Sequence, residues 1–123
     1  MEEGAQVKPV VSGPRYEVFH TDCPARDMVD HVTSRWGIWV LISLRGGDLR
    51  FYELRDSMRG VSEKMLAQTL RALVQDGLVR REVEPTTPPQ VTYGLTEFGS
   101  DIGEPLTDLF DRITRRLPPR TTA

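Results

Sequence analysis

Between Pro24 and Leu117 the spacing of apolar positions changes repeatedly, and each change predicts a different element. Pro24 suits the first turn of a helix, and Met28, Val29 and Val32 carry that helix over 24–34. Trp36, Val40, Leu41 and Leu44 recur at helical spacing, so a second helix is expected over 36–44, stopped by Gly46 and Gly47. A short extended piece, 49–51, then leads into a short helix, 52–58. Ser62 is an N-cap for the longest convincing helix, Glu63–Gln75, and Gly77 follows as its stop. Two β-rich runs, 78–83 and 91–95, flank the segment EPTTPPQ. Its three prolines cannot continue a ladder, so 84–90 is expected as a stiff finger beyond a two-stranded hairpin. Thr96 caps a last helix, 97–117, with Ile102, Leu106, Leu109, Phe110, Ile113 and Leu117 on one side and Pro105 expected to bend it.

Helix, helix, short strand, helix, turn, helix, hairpin, helix is the order of a winged helix-turn-helix. The fold class is therefore α+β, mostly helical: one domain over 22–117, with extra N- and C-terminal helices. Residues 1–21 hold Gly4, Pro9, Gly13 and Pro14 without a sustained period and read as a flexible arm, from which Tyr16, Val18 and Phe19 can dock. Residues 118–123 read as a tail.

The 123 residues are 38% hydrophobic and 28% charged, enough for one modest core. No apolar run reaches the roughly 18 to 20 residues of a membrane span. The start, MEEGAQVKPV, lacks a basic and apolar leader, so a cytoplasmic location is expected and no membrane partner. The single cysteine, Cys23, excludes an internal disulfide framework. A net charge of −2 argues against nucleic acid on bulk grounds. The distribution argues the other way. Residues 44–81 carry eight basic against five acidic side chains, leaving the rest of the chain at −5.

The Glu63–Gln75 helix separates two faces. At about 100° per residue, Leu66, Leu70 and Leu73 share a sector about 60° wide, and Lys64, Gln68, Arg71 and Gln75 share another opposite them. A solvated face has similar content, but the tight turn before this helix, the hairpin after it and the flanking Arg50, Arg55, Arg80 and Arg81 favour DNA. Lys or Arg donates to guanine O6 and N7, and Gln pairs with adenine. Lys64, Gln68 and Arg71 are thus expected on bases, and Arg50 and Arg80 on phosphates. Thr86, Thr87 and Gln90 in the finger are expected to orient the protein on the backbone, with Glu82 pointing away from the face of Arg81.

The stretch from Asp22 to Leu117 resembles the HxlR-type winged helix-turn-helix regulators of bacteria. The pieces that carry the likeness are Cys23-Pro24, Arg35-Trp36, Arg50-Phe51, Glu53-Leu54, Ser62 with Lys64-Met65-Leu66, and Leu70-Arg71. Asp76-Gly77-Leu78-Val79, Pro88-Pro89, Val91, Tyr93, and Leu95-Thr96 with Gly99 complete the order. Arg35 departs from the family's usual Lys, and the arm before Asp22 is longer than usual. The resemblance implies a homodimer on a pseudo-palindromic double-stranded DNA operator, regulating transcription as a repressor or activator without a cofactor. Ser62, Met65 and Thr69 complete the set expected at DNA. The dimer would be built from the first and last helices, through Met28, Val32, Ile102, Leu106, Phe110 and Ile113. Some members answer to oxidants or electrophiles through the cysteine of the Cys-Pro pair, here Cys23; a small-molecule effector is the other possibility.

At a helix N-terminus the Cys23 thiolate is favoured by the dipole and by Arg26, and opposed by Asp22 and Asp27. With no second cysteine in the chain, oxidation would give an intersubunit disulfide, a mixed disulfide or a sulfenic acid. His20, Cys23 and His31 with Asp22, Asp27 or Asp30 match no metal-ligand spacing, so no metal is expected. There is no Ser-His-Asp arrangement, carboxylate pair or phosphate loop, so no enzyme is expected. Phe19, Trp36, Trp39 and Phe110 read as core. Two other classes stay open at this stage: a winged-helix module for protein contact, and a thiol-dependent redox protein using Cys23.

Overall fold

The computed structural model describes residues 24–119. The arm expected over 1–21 and Cys23 lie outside them, as do residues 120–123. Helix α1 covers Pro24–Val32 and ends before the expected Ser34. Ser34 is extended instead, and its hydroxyl accepts from the Gly37 N–H at 3.0 Å, so it caps the next helix. That helix, α2 (Arg35–Ser43), tightens into a 3-10 turn over Leu44–Gly46. Strand β1 is Leu49–Arg50, and α3 (Phe51–Ser57) starts and ends one residue earlier than the expected 52–58. The Glu53 carboxylate reaches back to accept from the Arg50 N–H at 2.8 Å, which closes the first turn at Phe51.

Helix α4 is Glu63–Gln75, as expected, with the Ser62 hydroxyl accepting from the Met65 N–H at 3.0 Å. Its end is a Schellman turn. Gly77 N–H donates to Val74 and Leu78 N–H to Leu73, each at 3.0 Å, and Gly77 takes φ of 80°. A side chain there would meet backbone strain, which is why the helix stops where it does.

Strands β2 (Val79–Glu84) and β3 (Gln90–Leu95) pair antiparallel, and β1 adds to the far side of β3, giving the order β1-β3-β2. Two expectations change here. The hairpin is part of a three-stranded sheet, because Leu49 opposes Tyr93 and Arg50 opposes Thr92 across a long stretch of chain. Glu84 and Gln90 face each other in the ladder, so the finger is shorter than 84–90. Pro85, Pro88 and Pro89 all fall between those two residues, where no ladder N–H is needed.

Helix α5 (Glu97–Arg116) runs through Pro105 as one helix. The Thr96 hydroxyl anchors its start, accepting from Gly99 N–H at 2.9 Å and donating to the Gly77 carbonyl at 2.6 Å. The core gathers Val32, Val40, Leu41, Leu44, Leu54, Met58, Leu66, Leu70, Leu73, Leu78 and Val79. Each such side chain contributes about 1.5–3 kcal/mol by leaving water. Val32, expected at a dimer contact, belongs to this core because α1 packs it inward against the chain's own helices. Met28, Ile102 and Leu106 are half-buried against the same core. From Asp108 onward every described residue is exposed, Leu109, Phe110, Ile113 and Leu117 included. Trp39 and Phe110, expected in the core, lie outside it. They meet edge to face at 5.3 Å, 36% and 38% exposed, because α5 passes over α2 at the surface. Trp36 does pack on the core.

Candidate nucleic-acid interface

Helix α4 is held from behind by Leu66, Leu70 and Leu73, all buried, so its opposite face is fixed in space. That face presents Lys64, Gln68, Arg71 and Gln75, each exposed. Among the described residues none of the four makes an ion pair, so their donors point outward unengaged. Met65 stands exposed on the flank of the same helix. Ser62 and Thr69 have structural tasks: Ser62 caps Met65, and the Thr69 hydroxyl donates to the Met65 carbonyl at 2.8 Å. At Thr69 the methyl group is what remains for a partner.

The four flanking arginines divide. Arg55 in α3 donates to Glu63 at 2.6 Å and leans on Asp56 at 3.4 Å, which joins the first helix of the pair to the opening turn of the second. The hydrogen bond to Glu63 holds the Arg55 guanidinium above its ordinary pKa. Arg80 donates to both oxygens of Asp48, at 2.9 and 3.1 Å, and meets Glu82 at 3.1 Å. Its guanidinium crosses the middle strand over Gly94, where a Cβ would run into Asp48 Oδ1 and the Arg80 guanidinium. A side chain at that place would displace the ends of Asp48 and Arg80 from the geometry seen here.

Arg50 and Arg81 have no ion pair among the described residues. The Arg50 N–H is used by Glu53, and its guanidinium is not. Arg81 opposes Tyr93, and with Tyr93 and Arg71 it lines a cleft of about 230 Å³ between α4 and the sheet. Strand alternation places Arg80 and Glu82 on the other face, as expected for Glu82. Arg81 is thus the strand arginine on the side of α4, although Arg80 was the one assigned to phosphate. The signal for it lies in the strand itself: Arg81 shares its parity with the buried Val79.

At the hairpin tip the Thr86 hydroxyl donates to the Pro88 carbonyl at 2.8 Å, so its hydrogen is engaged within the loop. Thr87 is exposed, and Gln90 is half-buried at the end of the ladder. Elsewhere, His31 Nδ1 meets Asp76 Oδ2 at 2.8 Å and ties α1 to the end of α4. Cys23 lies outside the described residues, and so do His20 and Asp22.

A family model described as HxlR-like helix-turn-helix matches residues 31–121. YtfH of Escherichia coli (strain K12), an uncharacterised HTH-type transcriptional regulator, is 48% identical over 101 residues, 82% of this chain and 80% of its own length. The solved structure of ytfH from Salmonella typhimurium is similar with a TM-score of 0.75 and 49% identity, covering 81% of this chain and 89% of that one. The redox regulator HypR in its oxidized form is similar with a TM-score of 0.71 and 30% identity, over 79% of this chain and all of the other.

Proposed function

This chain belongs to the HxlR-like helix-turn-helix family, and we propose that it regulates transcription as a homodimer seated on a pseudo-palindromic operator. The observation that carries this reading is the outer face of α4. Lys64, Gln68 and Arg71 stand exposed, without a partner among the described residues, on a helix whose other side is locked by three buried leucines. Lys64 and Arg71 suit guanine edges and Gln68 suits adenine. Arg50 and Arg81 flank the helix as phosphate contacts, and Thr87 and Gln90 touch the backbone from the wing.

The dimer rests on the far half of α5. Leu109, Phe110, Ile113 and Leu117 form an apolar row with Trp39 beside it, and a second copy would cover them. The two α4 helices would then lie about 34–36 Å apart, one turn of B-DNA. Residues 22–117 act as the regulatory unit, with 1–21 as an appended arm. The operator places the protein in the cytoplasm.

Cys23 supplies the response to oxidants. Its support is the Cys23-Pro24 pair in the sequence, together with the likeness to a redox regulator. Cys23→Ser should leave operator binding intact and remove its sensitivity to a thiol oxidant.

The deciding experiment is a titration of the chain against its own upstream DNA at several salt concentrations. A preference over random DNA, with affinity falling linearly in log salt, supports the reading. Equal binding to both DNAs, or none, overturns it in favour of a protein-contact module.

A further inference from the structure

Beside the DNA-facing side of α4 lies a second feature, which shares Met65, Gln68 and Thr69 with that side. Between the start of α2 and the flank of α4 is a groove of about 470 Å³, within the range that holds small ligands. Its walls are mostly apolar: Trp36 from α2, with Met65, Thr69 and Ala72 from α4. Thr69 turns its hydroxyl back to the helix, which leaves its methyl for the groove. Two donors stand at the rim. Arg35 lies over the Trp36 ring, its guanidinium carbon 4.6 Å from the ring centroid, without a carboxylate partner among the described residues. The Gln68 carboxamide is likewise without an intramolecular partner among them. His31 lies at one end, its Nδ1 held by Asp76.

We propose that this groove is an effector site for a planar aromatic monoanion of one or two rings. Indole and thioether surfaces at Trp36 and Met65 favour an aromatic body. The Arg35 charge, without a carboxylate on it among the described residues, selects a negative group at one edge, and the Gln68 amide donates a second hydrogen bond to it. A bare phosphate would leave the apolar walls empty, and a neutral hydrocarbon would leave Arg35 unanswered. The position also sets the consequence. Gln68 and Met65 stand among the residues assigned to DNA, so an occupant takes up a base-reading group and weakens the hold on the operator without excluding it. This regulatory role rests on the DNA-reading proposal; the binding site does not.

The probe is 2-naphthoate, titrated calorimetrically into the full chain without DNA. Binding with a dissociation constant below about 1 mM is expected, and the neutral 2-naphthamide should bind at least about tenfold more weakly. Arg35→Gln, an exposed change, should erase that difference. Ala72→Phe should fill the groove and abolish naphthoate binding while operator binding persists. Saturating 2-naphthoate should weaken the operator complex about tenfold, and the operator should weaken naphthoate by the same factor. No binding overturns the site, as do equal affinities for acid and amide or binding unaffected by both substitutions. A chain that takes naphthoate but ignores its upstream DNA would sink the DNA reading alone. One that binds the operator and ignores naphthoate would sink the groove alone.

Discussion

At the scale of single residues, the sharpest contrast is between two neighbouring arginines. Arg80 is caught between Asp48 and Glu82, and Arg81 is turned toward α4 with no acid on it among the described residues. Arg81→Ala should therefore reduce the slope of log affinity against log salt by about 0.9, the value of one phosphate contact. Arg80→Ala should change it much less. Gln68→Ala should cost about 1–3 kcal/mol on the preferred operator and relax preference at one base pair. Unchanged operator preference in a binding-site selection would remove Gln68 from the reading set. The α4 residues were legible because a helix of fixed period projects every side chain from sequence spacing alone. Arg80 was not legible in the same way, since Asp48 reaches it only through a sheet pairing that no local pattern encodes.

At the scale of elements, boundaries follow the hydrogen bonds that close each end. Ser62 illustrates this: its hydroxyl satisfies the Met65 N–H at the entrance to α4. Ser62→Ala should cost about 1 kcal/mol of unfolding free energy, read from denaturant titration. Where the sequence reading misplaced an end, a side chain had a second task. Ser34 left α1 to cap α2, and Glu53 drew Phe51 into α3. The wing was legible in outline from its prolines, but not the ladder rung between Glu84 and Gln90, since both residues sit beside those prolines. Removing 86–89 should weaken operator and random DNA alike, by about 1–2 kcal/mol in parallel titrations, as expected of a part that orients without reading bases. Loss confined to the operator would instead make the wing a reader.

At the scale of the whole molecule, the far half of α5 is exposed among the described residues, with Phe110 resting edge to face on Trp39. Ile113 is 51% exposed in that row, so Ile113→Asp should leave the fold intact and yield monomers with much reduced operator affinity. Sedimentation of the wild-type chain as a monomer at micromolar concentration would contradict the dimer. The apolar period of α5 showed in the sequence; which of its members the body already covers did not. Ile102 and Leu106 are held by this core, and Phe110 and Ile113 are not. The strand order has a consequence of another kind, in the timing of synthesis. Because β3 lies between β1 and β2, Leu49 must wait for Tyr93 before it has a partner. A chain growing from its N-terminus thus delivers the recognition helix before the strand that completes the sheet beside it. A ribosome stalled just short of Gln90 would hold a product with Lys64, Gln68 and Arg71 already made and a sheet still unformed.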